Sequence, residues 1–321
     1  MSRSRGKTST KTKDNSRELI ERFQKDCIIR GMTPESTVRY ISTLKIFDGF
    51  LREKGFDLLQ VEGTVLRDWL EYLRIDRKVS QKTLENYFTE ISSFYEFTLY
   101  EGLIAANPVA AVRKRYLRRY KNSDEEHTHK LVSVEDMGRL INATMDIRDR
   151  AIITLLAKTG IRRRELITLD VDDVDFVEQS IRLKPTAKRT NRTVFFDGET
   201  ALILRRWFRA RDGRNHNDGC KAIFLSNKGD RLERTGVSHM ITKNAERIGL
   251  HDPNSDRMED HFSPHCCRHW FTTHLRRAGM PREFIQELRG DVRKEAIDIY
   301  DHIDKKELRE SYLAHIPQLG I

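Results

Sequence analysis

Apolar residues recur every three or four positions through most of the chain, a rhythm that predicts helices before any residue is assigned chemistry. Leu19, Phe23 and Cys27 share one face of a helix expected from Asn15 to Arg30, which Gly31 ends. Thr33 is then a good N-cap, Pro34 suits the first helical position, and Val38, Ile41, Leu44, Phe47 and Leu51 form a stripe running to Gly55. Residues 64–74 predict a shorter helix, and Leu84, Tyr87, Ile91, Phe94 and Thr98 another before Gly102. The Asn-Pro pair at 107–108 breaks the pattern. Roughly the first hundred residues are thus expected to be all-helical.

From Arg113 the pattern changes. The stretch RKRYLRRYKNSDEEHTHK has little to bury and carries a dense basic cluster, so it is expected to connect two domains and to lie across phosphates through Arg113, Lys114, Arg115, Arg118 and Arg119. Beyond it, Ser133 caps a helix with Glu135 and Asp136 in its first turn, and IRDRAIITLLAKTG is a more buried helix ended by Gly160. QSIRLKP and RTVFF are two short strands joined by a polar lysine-bearing loop, and helical periods return afterwards. The expected fold is mainly α: a basic arm at 1–14, a helical domain at 15–112, a basic linker at 113–130, and a mixed α/β domain with a small antiparallel sheet and a C-terminal tail at 131–321.

Composition narrows the function. The 321 residues suffice for two domains, and 38% hydrophobic with 34% charged residues describes a globular protein. No apolar run is long enough for a membrane span, and no secretory leader follows the basic N-terminus, so a cytoplasmic location is expected. Lysine and arginine total 59 against 49 acidic residues, a formal charge of +10 that fits a nucleic-acid binder. The chain has neither a phosphate-binding P-loop nor a dinucleotide-binding glycine turn.

The densest candidate chemistry lies in HFSPHCCRHWFTTHLRRAG at 261–279. Its adjacent Cys266 and Cys267 lack the spacing of a zinc site, so no metal is expected. His265 and Arg268, three residues apart, share a face if the segment is helical. In TGIRRREL, Arg162 follows a helix end, where Glu165 can hold it by a charge-assisted hydrogen bond. Tyr300 sits in IDIYDHID. Taken singly, each has a plainer reading as a surface pair, a packed histidine or a packed tyrosine.

The ordered series TG-x-R-x-x-E-L, hairpin lysine, H-x-x-R-H and I-Y-x-H resembles the tyrosine recombinase, or phage integrase, family over nearly the whole chain. That resemblance implies site-specific recombination of double-stranded DNA through a 3′-phosphotyrosyl intermediate, by a homo-tetramer on two sites, with no cofactor. Tyr300 would be the nucleophile, Arg162 and Arg268 would bracket the phosphate, and His265 would assist proton transfer. Lys188, or its rival Lys184, would protonate the leaving 5′-oxygen. Asp291 departs from the family pattern, which places histidine or tryptophan nine residues before the tyrosine. A carboxylate accepts hydrogen bonds and is repelled by phosphate, so Asp291 is expected to orient Arg162, Arg268 or His265, to be protonated, or to yield its role to Arg289 or Arg293. A decayed DNA-binding relative and a DNA-relaxing topoisomerase of the type IB kind are the alternatives. Leu308, Tyr312 and Ile316 lie at helical spacing, suited to docking the tail on a neighbouring copy or on its own chain.

Overall fold

The computed structural model describes residues 5–117, 131–185, 192–214, 217, 219–291 and 303–321, with side chains from Ser16 onward. The chain divides into two compact units, residues 1–125 and 126–321. Their cores are separate clusters of buried apolar side chains.

The first unit holds α1 (Arg5–Ile29), α2 (Pro34–Lys54), α3 (Gly63–Ile75), α4 (Gln81–Tyr100) and α5 (Val109–Tyr116). Thr33 and Ser80 cap α2 and α4 by accepting from Ser36 and Thr83 backbone N–H groups. Phe23, Leu44, Phe47, Trp69, Phe88 and Phe94 fill the centre without exposure. The buried Tyr95 hydroxyl donates to Leu58 O at 3.0 Å, and the nearly buried Glu90 carboxylate takes the Arg39 guanidinium at 2.6 Å.

Three expectations shift. Helix α1 begins at Arg5, within the segment expected to be an arm, because no proline interrupts residues 5–29 and extending a helix already nucleated by packing costs little. Val38 is 68% exposed; the inward stripe of α2 runs through Thr37, one position earlier, to Ile41, Leu44, Phe47 and Leu51. Arg113, Lys114 and Arg115 are the last turn of α5 rather than linker, since Val109 and Val112 bury and pull the turn onto this core. Arg118 and Arg119 lie outside the described residues.

The second unit contains α6 (Val134–Ala143), α7 (Ile147–Thr159), α8 (Arg163–Thr168), β1 (Val174–Asp175), β2 (Ser180–Leu183), β3 (Arg192–Phe195), α9 (Gly198–Asp212), α10 (Arg234–Glu246), α11 (Pro264–Arg277), α12 (Arg282–Arg289) and α13 (Lys305–His315). Every residue of α7 from Ala151 to Thr159 is buried, which makes it the central helix, packed against α9 and α11. The strands form one antiparallel sheet in the order β1-β2-β3, with Ile181 opposite both Val174 and Val194. The two-residue β1 is too short to carry an alternation visible in the sequence.

The tail folds back on its own chain. Leu308, Tyr312 and Ile316 are buried in the second core, and the Tyr312 hydroxyl donates to Lys158 O at 2.9 Å. Lys158, in α7, is fully buried. Its ammonium lies 2.6 Å from both Asp197 Oδ2 and Glu199 Oε2 and donates to Pro317 O at 2.7 Å. Glu199 also accepts the backbone N–H groups of Leu319 and Gly320, so one carboxylate ties a buried lysine to the end of the chain. Replacing Glu199 by alanine leaves that ammonium short of charge and the tail's donors unpaired. The expected loss is about 3 kcal/mol in urea-induced unfolding, and a change within about 0.5 kcal/mol contradicts it.

Candidate active site

Two glycines let the site assemble. Gly160 ends α7 in the left-handed region at φ 60°, and a Cβ there would stand 2.3 Å from the Phe271 ring. The chain turns there, so that Arg162 caps α8, its backbone N–H donating to Glu165 Oε2 at 2.7 Å. Gly290 ends α12, also at φ 60°, where a Cβ would meet the Arg192 guanidinium at 2.7 Å. On α11, Ser263 is the N-cap and Pro264 opens the helix. His265 is exposed on the first turn and Arg268, nearly one turn on, is 4% exposed.

The last carbonyls of a helix have no intrahelical donor and lie at its negative end. Here guanidinium groups fill that role. Arg289 O accepts from Arg162 Nη1 and from Arg268 Nη2, each at 2.9 Å, and Leu288 O accepts from Arg192 Nε at 3.0 Å. Just past the helix, Asp291 Oδ1 lies 3.3 Å from Nη2 of both Arg162 and Arg268, and its Oδ2 lies 3.0 Å from Arg289 Nε. Gly160 O accepts from Arg268 Nη1 at 2.5 Å. Glu165 grips Arg192 by two hydrogen bonds of 2.8 and 2.9 Å.

Burial first, then the charges of Arg162 and Arg289, draw the Arg268 guanidinium down to about 9; Asp291 and Glu165 act against them and keep charge on it. Burial works to raise the Glu165 carboxyl, but the hydrogen bonds and charge of Arg192, with help from Arg162, outweigh it and leave that group below its ordinary value. The arginines open onto a cavity of about 260 Å³, whose wall includes Arg162, Arg163, Ser238, Ser263, His265 and Arg268. His265 also meets the His269 ring edge to face at 4.6 Å.

Of the expected site residues, the structure brings Arg162, His265 and Arg268 onto one cavity, and Asp291 contacts both arginines without lining it. Lys188, Arg293 and Tyr300 lie outside the described residues. Lys184, at the end of β2, is engaged by Asp170 and lies 3.5 Å from Asp173. Glu165 differs from expectation: its hydrogen bonds go to Arg192 and to the Arg162 backbone, while its nearest approach to the Arg162 guanidinium is 3.7 Å. Arg192 itself was missed, and its only signal was a charge opening the apolar run RTVFF. Cys267 is buried and Cys266 half-buried, its sulfur accepting from the Ser263 N–H at 3.3 Å. Among the described residues no group of three or more His, Cys, Asp or Glu side chains is arranged to hold a metal ion.

Fold and cavity together define a helical protein, with a small antiparallel sheet, in which guanidiniums converge on a cavity. Comparison with known proteins takes this further. The model of the phage integrase family matches residues 118–307, and that of the phage integrase N-terminal SAM-like domain matches 19–104. The chain is 28% identical over 310 residues to a tyrosine recombinase XerD of Ralstonia nicotianae, covering 95% of this chain and 96% of that one. It is 27% identical over 300 residues to a tyrosine recombinase XerC of Bacillus subtilis, covering 91% and 93%. Among solved structures, the fold is similar to the Tn1549 transposon integrase in complex with circular intermediate DNA (TM-score 0.68, 18% identity, 91% of this chain and 98% of that one). It is also similar to a lambda integrase dimer bound to a COC′ core site (TM-score 0.66, 16% identity, 90% and 98%). This chain belongs to the phage integrase family.

The Glu165–Arg192 pair generates a stability prediction. Removing the carboxylate as Glu165→Ala leaves a buried guanidinium unpaired, an expected loss of about 3–5 kcal/mol in chemical unfolding at neutral pH. Because the folded-state value is lowered, that stabilisation is present above the ordinary carboxylate range and is lost as pH falls through the lowered value. The gap between parent and variant therefore narrows with acid; a gap that stays constant contradicts the assignment.

Proposed function

We propose that this protein is a site-specific DNA recombinase of the tyrosine type, which cuts and rejoins strands through a 3′-phosphotyrosyl bond. The observation that carries the reading is the pair of guanidiniums, Arg162 and Arg268, held side by side on shared acceptors and facing the same cavity as His265. Its family membership and its similarity to recombinases over nearly their whole length support the same reading and favour neither a decayed DNA binder nor a topoisomerase.

The chemistry follows from these groups. A DNA phosphate entering the cavity meets donors already oriented for it, so charge gathering on the nonbridging oxygens is stabilised without reorganising the site. Tyr300 Oη attacks the phosphorus and forms the phosphotyrosyl bond, its proton passing toward His265. The 5′-oxygen departs and takes a proton from Lys188, whose place in the sequence falls between β2 and β3. Lys184 is the weaker choice because Asp170 and Asp173 already engage its ammonium. The phosphotyrosyl ester conserves the energy of the cut bond, so rejoining to a new 5′-hydroxyl needs no nucleotide.

Arg113 and Lys114 of α5, with Lys82 and Asn86 of α4, line an open depression of the first unit suited to a DNA backbone. We assign that unit to DNA binding, the working assembly to four protomers on two duplexes, and the location to the cytoplasm. No described helix is long and apolar enough to cross a membrane.

A nicked suicide duplex tests the function. The parent protein should become covalently attached to DNA, with the linkage mapping to Tyr300, while Tyr300→Phe binds the duplex with comparable affinity and forms no adduct. An adduct of undiminished yield on the Phe variant overturns the mechanism.

A further inference from the structure

The cavity that receives the scissile phosphate has a second cationic wall that the reaction above does not use. Arg163, the first residue of α8, lies on the side facing α10, and its guanidinium donates to Ser238 Oγ. Among the described residues no carboxylate pairs with Arg163, and no acceptor takes the Ser238 hydroxyl proton. That contrasts with Arg162 and Arg268, both held by Asp291. Burial and then the like charge of Arg234, at the start of α10, pull the Arg163 guanidinium below its ordinary value. Arg163 lines the cavity, and its repulsion by the neighbouring Arg234 is relieved by an incoming anion.

Space agrees with charge. A phosphate group has five heavy atoms and needs roughly two to three times the ~30 Å³ of a water molecule. The cavity of about 260 Å³ therefore has room for more than the one phosphate that Arg162 and Arg268 bracket.

We propose that Arg163 and Ser238, with Arg234 beside them, form a second anion seat that holds a backbone phosphate neighbouring the one that is cut. The seat rests on the recombinase reading given above. Arg163 supplies guanidinium N–H donors and Ser238 supplies its O–H, both to nonbridging oxygens of the same phosphate. A strand gripped at two successive phosphates cannot pivot about the first, so the seat fixes the scissile group in line for attack. Its ligand is a DNA phosphodiester, recognised without regard to base sequence.

The experiment couples the protein to single phosphates. Suicide duplexes carrying one neutral methylphosphonate at successive positions around the scissile phosphate are reacted with parent, Arg163→Ala, Arg163→Lys and Ser238→Ala proteins, and the single-turnover rate of adduct formation is measured. One flanking position should slow the parent about tenfold or more, the loss expected for a charge-assisted hydrogen bond. Arg163→Ala should be slowed by a similar factor on unmodified DNA and lose little further on that one substrate. Arg163→Lys should retain part of the rate, and Ser238→Ala should show a smaller loss at the same position. If Arg163→Ala is instead slowed by the same factor as the parent at every methylphosphonate position, or reacts at the parent rate on unmodified DNA, the seat is overturned. A parent protein that binds the unmodified duplex but forms no adduct overturns the recombinase reading, and the seat with it.

Discussion

Three arginines from distant parts of the second unit end on the last two carbonyls of one short helix. Leu288 O and Arg289 O at the end of α12 take hydrogen bonds from Arg162, Arg192 and Arg268, which come from the start of α8, the start of β3 and the first turns of α11. Positive groups do not gather in a half-buried space unaided, since their repulsion grows as water is excluded. The free carbonyls and negative end of α12 offset that repulsion, and Glu165 and Asp291 complete the balance. Among the described residues the two carboxylates offset only part of the charge of Arg162, Arg192, Arg268 and Arg289. The residual charge suits a phosphate that becomes more negative as it reacts.

Asp291 takes its meaning from that balance. A carboxylate facing a DNA phosphate would repel it, but this one bridges the Nη2 groups of Arg162 and Arg268 at 3.3 Å and does not line the cavity. It contributes order to both guanidiniums. Gly290 serves the same arrangement one residue earlier, because any side chain there would collide with Arg192 and loosen its grip on Glu165. The chain LRGD thus reads physically: a helix end that accepts, a glycine that clears space, and a carboxylate that aligns.

Much of this was legible before any coordinates. Thr33, Pro34, Gly55, Ser133 and Gly160 mark helix boundaries because caps act through neighbours a few residues away, and the structure places them there. Arg162, His265 and Arg268 stood out by spacing, and they meet on one cavity. What the sequence hid depends on contacts far along the chain. Arg192 opens a strand whose other residues are apolar, and nothing local shows that it reaches Glu165, 27 positions earlier. Thr37 replaces Val38 on the inner face of α2, since a hydrophobic period fixes a stripe only to within a residue. The Lys158–Glu199 knot joins a central helix to the last residues of the chain, with Lys158 and Pro317 separated by 159 positions that no periodicity reports. The cationic wall at Arg163 and Ser238 likewise needs α8 and α10 to be packed before it exists.

The central claim is that the guanidiniums are fixed by α12 before any DNA arrives. Nitrogen-15 NMR of the arginine side chains in the DNA-free protein tests it most directly. If the claim holds, Arg162, Arg192 and Arg268 show resolved Nη resonances with hindered rotation and slowed proton exchange, and these features are lost when Asp291 and Glu165 are both replaced by alanine. Averaged Nη signals for all three in the parent, indistinguishable from those of exposed surface arginines, would contradict it.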